Sequence, residues 1–491
     1  MNIDDLSHQA RTHGGVYPWM AQSLLEMGQL ELLIRAAQER GDWNCAEAAA
    51  RELSAVGEFE RALALMDPFT DIGWRAAEWV TAEIMIRRGE GDEALAMVRP
   101  DATELGDGHV CARYAELSAK AGRVDEAIDV LTPHLGEFWL RSRLVDVTEG
   151  QGRDDRVLEV LTQVAERMER MERMERAERM ERAGCEHCGQ SCGTARTART
   201  DRWDVLLLIS RVLERAGRTD EAVEVLRAET ASGRRHPVNF PEYYAALLAR
   251  QGLIDELRAL AAEDHRSAFD VYAKALEDAG RAPEAEALLR KGIEDHDHPK
   301  DRVALMHLLV RQGRIDEAVE TGRPTYAYYD CWNLLHWALE LLVDDGRPGP
   351  ALELLQGLTG AYVEGHPDQV LRLRLWLLRE AGRCAEGIAE ATALNEREPG
   401  EWDTALARLL ERDGRSEEAL ALLRSSTHDS AHFDLAEMLI RQGRPAEALA
   451  AVPTIAEGRV AAERREREAA ERREQEDPWA GAGEFVQEPP F

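Results

Sequence analysis

Apolar residues recur along this chain at the spacing of amphipathic helices, and each run stops at a glycine. Before Gly313 the apolar positions are Val303, Leu305, Met306, Leu309 and Val310. This spacing is typical of a helix with one buried side, and glycine ends a helix at little steric cost. Asp316 and Glu317 then stand in the first turn of a second helix, where the helix dipole favours carboxylates. The pattern predicts a helix, a tight turn and a second helix.

The same pattern returns at a nearly constant interval along the chain. The phrase Gly-Arg-x-Asp-Glu-Ala begins at Gly122, Gly217 and Gly313. Looser copies are marked by Gly28, Gly57, Gly89, Gly152, Gly252, Gly280, Gly346, Gly382, Gly414 and Gly443. Apart from one step of 65 residues, neighbouring glycines lie 28 to 36 residues apart. A period near 33 indicates stacked helix pairs, each of which contacts its neighbours.

A turn glycine followed five residues later by alanine, in a period close to 34, resembles the tetratricopeptide repeat. That family consists of helix–turn–helix scaffolds that bind proteins, and the resemblance extends from about Ala21 to Val452. It implies an all-α fold, an α-solenoid of about 13 repeats that forms a right-handed superhelix with one charged helical insertion. Stand-alone bacterial chains of this type are similar. A related helical-pair repeat is the alternative.

The spacing and the composition divide the sequence into four segments. Residues 1–164 and 202–456 are expected to be repeats, 165–201 an insertion, and 457–491 a charged capping helix with a disordered acidic tail. The insertion opens with Glu-Arg-Met triplets over 166–182, in which Glu precedes Arg by four residues, an order that stabilises helices. Methionine at every third residue drifts around a helix of 3.6 residues per turn. We therefore expect a solvated helix without a single apolar seam.

The insertion also contains the one metal-like group of residues in the sequence: Cys185, His187, Cys188 and Cys192. Thiolates and imidazoles are zinc ligands, and a zinc site takes four of them in tetrahedral geometry. His187 lies between the first two thiols, where that geometry is cramped. Two hypotheses remain, namely zinc bound at a hairpin tip, or free solvent-exposed thiols. No other cofactor is indicated.

The charge of the chain narrows the classes of partner. Acidic residues number 93 against 61 basic ones, which gives a formal net charge of −32. Such a surface disfavours nucleic acid and anionic membranes, which are bound through Lys and Arg. The sequence starts without a secretory signal, and its longest apolar run, about 205–209, is far too short to cross a membrane. A cytoplasmic protein with protein or peptide partners is expected, and its oligomeric state stays open.

The resemblance also indicates where a partner binds. In this repeat class, ligand contacts come from the first helix, at positions thirteen, ten, six and three before the turn glycine. In this chain those positions include Lys300, His307, Asn333, His336, Arg372, Trp376 and Arg379. Earlier units place acidic residues there, among them Asp204, Glu242 and Asp270. Cationic side chains and tryptophan are common anchors in protein recognition, so these residues predict a partner-binding groove.

No motif of a catalytic site stands out in the sequence. It contains no glycine-rich phosphate loop, no nucleophile elbow and no His-Glu-x-x-His. We therefore expect a non-enzymatic scaffold for protein–protein interaction. The alternative is a regulatory arm that senses a partner or ligand and controls a separately encoded enzyme or transcription factor.

Overall fold

A computed structural model describes residues 2–12, 14–183, 202–232, 240–262, 266–296, 299–323, 329–358, 367–426, 428 and 430–476. The side chains of residues 175–183, 266–267, 329–333 and 472–476 are outside this description. Throughout the described part of the chain, the regular elements are helices and no strand occurs. This confirms the all-α expectation. Among these residues, no helix combines the length and the apolar character that crossing a membrane requires.

The α-helices follow one another with short connections. Those before the insertion are α1 (Ile3–Thr12), α2 (Pro18–Glu26), α3 (Leu30–Arg40), α4 (Trp43–Ala55), α5 (Phe59–Thr70), α6 (Arg75–Arg88), α7 (Gly91–Val98), α8 (Gly108–Lys120), α9 (Val124–Leu131), α10 (Phe138–Val147) and α11 (Asp154–Ala183). Those after it are α12 (Arg202–Arg215), α13 (Thr219–Thr230), α14 (Phe240–Arg250), α15 (Ile254–Ala262), α16 (Arg266–Asp278), α17 (Ala282–His296), α18 (Pro299–Arg311), α19 (Ile315–Thr321), α20 (Tyr329–Asp344), α21 (Pro348–Gln356), α22 (Pro367–Glu380), α23 (Cys384–Arg397), α24 (Asp403–Arg412), α25 (Ser416–Ser425), α26 (Ala431–Arg441), α27 (Pro445–Ala451) and α28 (Ile455–Glu476). Short 3-10 helices cover Glu104–Gly106 and Thr132–His134.

The turn glycines end one helix and allow the next to begin. At Gly313, where φ is 72°, the glycine N–H donates to the Val310 carbonyl and the Arg314 N–H donates to the Leu309 carbonyl, both at 2.9 Å. These two bonds are those of a Schellman motif, which requires a left-handed residue. All thirteen glycines identified from the sequence have φ between 67° and 97°. The predicted turn is confirmed at each of them.

The alanine five residues after the turn glycine lies where paired helices approach each other. Nine of the thirteen turns carry alanine there, and all nine are fully buried: Ala62, Ala94, Ala127, Ala222, Ala285, Ala318, Ala351, Ala419 and Ala448. A larger side chain would push the two helix backbones apart, because protein interiors are close-packed. The small residue therefore sets how closely the first and second helix of a pair can pack.

The arginine and the glutamate of the repeated phrase form an ion pair that the sequence analysis did not foresee. In the turn after Gly313, Arg314 Nε and Nη2 donate to the two carboxylate oxygens of Glu317, both at 2.6 Å. The same two-pronged pairs occur at Arg218–Glu221, Arg281–Glu284, Arg415–Glu418 and Arg444–Glu447. The glutamates thus stabilise the first turn of the second helix in two ways, through the ion pair with the arginine and through the helix dipole.

The charged insertion begins as a continuation of α11. Met168 is 3% exposed and packs in the core, whereas Met171 is 41% and Met174 65% exposed. Glu169 accepts a hydrogen bond from Arg173 at 2.6 Å, as the four-residue spacing predicts. The triplet methionines therefore leave the core after their first member, and the expectation of no single apolar seam is confirmed over these three residues.

The chain forms two compact units. One consists of Pro100–Arg383, and its core is a continuous layer of buried aliphatic side chains between the paired helices. The other combines Met1–Arg99 with Cys384–Phe491. Inside this second unit, α1 packs against α28 and α2 against α26, so residues from the beginning and the end of the sequence share one core. The four segments expected from the sequence stay a prediction.

Candidate binding face of the first helices

In the unit Pro100–Arg383, the first helices of successive pairs contact each other from α14 onward. This holds for α14 with α16, α16 with α18, α18 with α20, and α20 with α22. On each first helix, some side chains point away from the second helix of the same pair. Because the first helices adjoin, these side chains form a continuous row. We call the exposed strip of α16, α18, α20 and α22 the binding face. It carries the predicted groove residues that follow.

The first rung of the binding face joins α18 to α20. The ring centroids of His307 and Trp337 lie 4.3 Å apart, with a tilt of 44° between the rings. His307 is exposed, while Trp337 is half-buried against the core. Partial burial and the neighbouring Arg311 guanidinium both lower the pKa of the His307 imidazole. The ring is therefore neutral at neutral pH and offers a flat surface beside the indole.

The second rung joins α20 to α22 in the same way. His336 lies 5.7 Å from Trp376 between ring centroids, and its Nε2 lies 3.2 Å from the Glu340 carboxylate one turn later. His336 is exposed and Trp376 is half-buried. The row thus presents imidazole and indole rings on three successive first helices. The sequence positions of these residues do not reveal which imidazole contacts which indole.

The cationic residues of the predicted groove lie on the same helices. Lys300 and Arg372 are exposed, and Arg379 is half-buried with its guanidinium 2.6 Å and 2.9 Å from Glu380. Part of the positive charge expected on this face is therefore compensated by a neighbouring carboxylate. Asn333 belongs to α20, but its side chain lies outside the described residues.

A cavity of about 300 Å³ opens on the binding face between α16 and α18. Its floor is apolar, and its rim is charged. The lining consists of Ala273, Leu289, Ala304 and Leu308 with Asp270, Lys274, Glu277, His307 and Arg311. Arg311 donates to both carboxylate oxygens of Glu277, at 2.8 Å and 2.5 Å, and so fixes one side of the rim. A cavity of this volume can admit one large side chain.

A third contact between histidine and tryptophan was missed by the sequence analysis. His109 on α8 stacks on Trp139 on α10, with centroids 4.4 Å apart and 21° between the ring planes. Both residues stand thirteen positions before their turn glycines, Gly122 and Gly152. Their shared position in successive units could have predicted this contact, because residues at the same position on adjacent parallel helices lie side by side.

One acidic residue assigned to the groove is placed elsewhere. Asp204 was expected to add negative charge to the first helices, yet it is 6% exposed. It accepts a hydrogen bond from Arg141 on α10 at 2.5 Å. The prediction is wrong for Asp204, because the preceding first helix covers the start of α12. Glu242 is exposed, and Asp270 lines the cavity described above.

The metal-like residues Cys185, His187, Cys188 and Cys192 lie outside the described residues. The described thiols of Cys45, Cys111 and Cys384 are buried and unpaired with one another. Within the described part of the chain, no three His, Cys, Asp or Glu side chains are arranged to hold a metal ion. The zinc hypothesis therefore stays a prediction.

A family model of the tetratricopeptide repeat matches four segments, residues 76–100, 268–291, 403–425 and 430–452. Each match covers a helix, a turn glycine and a second helix: α6–α7, α16–α17, α24–α25 and α26–α27. These four segments match tetratricopeptide repeats, and together they make up about a fifth of the chain. The match at 268–291 includes one wall of the cavity, so the binding face begins on a recognised tetratricopeptide repeat.

Solved structures that resemble this chain are distant from it in sequence. The structure of Naa15/Naa10 bound to HypK-THB is 13% identical, with 83% of this chain and 67% of that one covered and a TM-score of 0.34. Yeast Tom70 is 14% identical, with coverage of 83% and 98% and a TM-score of 0.26. Maize PPR10, a pentatricopeptide repeat protein, is 16% identical, with coverage of 85% and 64% and a TM-score of 0.31. No curated protein sequence matches the chain.

Proposed function

We propose that this chain is a non-enzymatic scaffold of the tetratricopeptide-repeat type that binds a segment of a partner protein across the binding face. One observation carries the proposal. The two imidazole–indole contacts and the cavity with its apolar floor and charged rim lie on one row of adjoining first helices. Exposed rings and a pocket for a side chain are features of protein recognition sites.

The distribution of charge supports this choice of face. The first helices of the unit Pro100–Arg383 (α8, α10, α12, α14, α16, α18, α20 and α22) contain 16 basic and 14 acidic residues. The second helices α9, α13, α15, α17, α19 and α21 contain 4 basic and 17 acidic residues. Among these helices the net negative charge is thus concentrated on the second helices, and an acidic segment meets less repulsion on the first-helix face.

The proposal is tested by placing a photo-crosslinking amino acid at position 336 on the binding face. A matched control carries it at position 258 on α15, where the Arg258 side chain is 64% exposed. In cell extract, position 336 is expected to capture a protein that position 258 does not. The triple variant Lys300→Glu/Arg372→Glu/Trp376→Ala, with the crosslinker kept at 336, is expected to lose that product. Equal capture at both positions, or capture that survives the triple variant, contradicts the proposed face.

A further inference from the structure

Residues 2–17, here called the N-terminal segment, consist of α1 and the connection to α2, and they contact α28 near the other end of the sequence. Leu6 of α1 is fully buried, and Asp5 is 7% exposed. The Asp5 carboxylate accepts a hydrogen bond from Arg459 Nε at 2.9 Å. The two residues are 454 positions apart. A terminal helix of ten residues is marginal alone in water, so these contacts account for its order.

The same segment completes a buried polar network at the start of α4. Asp42 Oδ2 accepts from the Val16 N–H at 2.8 Å, and Asp42 Oδ1 accepts from Gln9 Nε2 at 3.2 Å. Gln9 Oε1 in turn accepts from the Trp43 N–H at 3.0 Å. Gln9 and Asp42 are each 1% exposed. Because buried polar groups are costly when unpaired, α1 fits this position through defined bonds as well as through apolar contact.

The connection after α1 passes between α4 and α28 at a glycine. Gly15 has φ of 73°, and a Cβ placed there would lie 2.5 Å from Asp42 Oδ2 and 3.0 Å from Ile455 Cγ1. Any other residue would collide with one of the two walls. Beyond it, the Tyr17 ring meets Phe433 of α26 edge-on, with centroids 4.2 Å apart. Contacts of the segment with the flanking helices are therefore found at Asp5, Gln9, Val16 and Tyr17.

The two parts of this unit also contact each other at residues outside the N-terminal segment. Arg40, at the end of α3, donates to the carbonyl oxygens of Leu449 and Val452, both at 2.5 Å. These carbonyls terminate α27, where helix C-termini leave acceptors unsatisfied. This contact joins the two parts of the unit directly and does not involve the N-terminal segment.

We infer that the start of α4, α26 and the start of α28 form a peptide-binding site that the chain's own N-terminal segment occupies. Its elements are the polar groups at Asp42 and Trp43, the ring of Phe433, and the side chains of Ile455 and Arg459. The site accepts the same segment supplied in trans, from a peptide or a second copy, once the resident segment is displaced. None of these residues belongs to the binding face, so the inference stands apart from the proposed function.

The experiment uses the full chain with its own segment disabled by Asp5→Arg/Leu6→Asp, which leaves the receiving surface unchanged. A fluorescent peptide with the sequence of residues 2–17 is titrated into this variant and into the wild type, with circular dichroism to verify folding. The peptide is expected to bind the variant about ten-fold or more tightly than the wild type, whose site is occupied. Equal binding to both proteins, or binding to neither folded protein, overturns the inference.

A charge exchange identifies the site independently. Adding Arg459→Glu to the disabled chain is expected to weaken the wild-type peptide and to restore binding of a peptide with Asp5→Arg. In an otherwise unchanged chain, Arg459→Glu is expected to speed amide exchange of α1 by about ten-fold, since local opening follows lost contacts. The matched control is Arg464→Glu, on the same helix with a side chain 71% exposed. Exchange of α1 that is the same in both variants overturns the inference even if the disabled chain fails to fold.

Discussion

Arg141 and Asp204 form an ion pair that is almost entirely excluded from water. Arg141 is 2% and Asp204 6% exposed, and Arg141 also donates to the Leu135 and Gly136 carbonyls at 2.8 Å and 2.9 Å. The pair joins α10 to α12 across the insertion that separates them in sequence. Burial of two charges is tolerated because each has a partner, and removal of either partner leaves an uncompensated charge.

The variant Asp204→Ala is therefore expected to lower the free energy of opening of the α10 and α12 amides by about 3–5 kcal/mol. Native-state hydrogen exchange measures this quantity helix by helix, which avoids assuming one cooperative transition for a repeat protein. The control Arg173→Ala removes a side chain that is 72% exposed and is expected to change the same amides by no more than about 0.5 kcal/mol. Equal effects of the two variants would show that the buried pair does not stabilise this junction.

At the scale of elements, the turn glycines are required by backbone conformation alone. A Cβ built on Gly313 meets nothing within 4 Å, yet φ is 72°. The residue is therefore constrained by torsion and not by neighbouring atoms. Any L-residue at this position pays the cost of the left-handed region, which glycine avoids.

Gly313→Ala is expected to destabilise the α18–α19 pair by about 1–2 kcal/mol. Gly349→Ala is the matched control, because Gly349 lies in α21 with φ outside the left-handed region and open space around it. There alanine is expected to stabilise by about 0.4–1 kcal/mol through a less flexible unfolded chain. Thermal unfolding measures both variants, and the unfolding temperature is expected to fall for Gly313→Ala and to rise for Gly349→Ala. A shift in the same direction for both would refute the torsional explanation.

At the scale of the whole molecule, ion pairs connect successive helix pairs in both units. The arginine of each Arg-Gln-Gly turn reaches the glutamate three residues before the preceding turn glycine. These pairs are Arg250–Glu214, Arg311–Glu277 and Arg441–Glu411. Hydrogen bonds from the guanidinium groups of Arg250 and Arg311 hold the pKa of Glu214 and Glu277 below the usual value of 4.5.

A carboxyl whose pKa is depressed in the folded state contributes stability above its unfolded pKa and loses it as pH falls. The contribution of these glutamates is thus expected to be complete above about pH 5.5 and to decline below about pH 4.5. Glu214→Gln/Glu277→Gln should lower the unfolding temperature at pH 7 and should lose less stability than the wild type between pH 5.5 and 3.5. Parallel pH curves for the two proteins would show that these pairs do not cause the acid sensitivity.

The sequence by itself determined the helix pairs, their turns and their small interface residues. Each is a local requirement. A left-handed turn needs glycine, an amphipathic helix needs apolar residues at 3.6-residue spacing, and the closest helix contact needs alanine. These requirements act within about twenty residues, so they can be recognised in the sequence alone. The position of His307, Trp376 and their neighbours on first helices followed from the same count, although their role in binding a partner stays a proposal.

Only the tertiary structure decided which of these residues meet. Nothing in the sequence near Asp204 indicates that Arg141 covers it. The repeat period predicts which units are adjacent, but it does not predict how deeply a given side chain is buried. The contact of α1 with α28 joins residues 454 positions apart, and the sequence of neither helix indicates that it packs against the other. Burial of Leu6 and the pairing of Asp5 with Arg459 depend on packing between helices that are far apart in the sequence, and no local pattern specifies such packing.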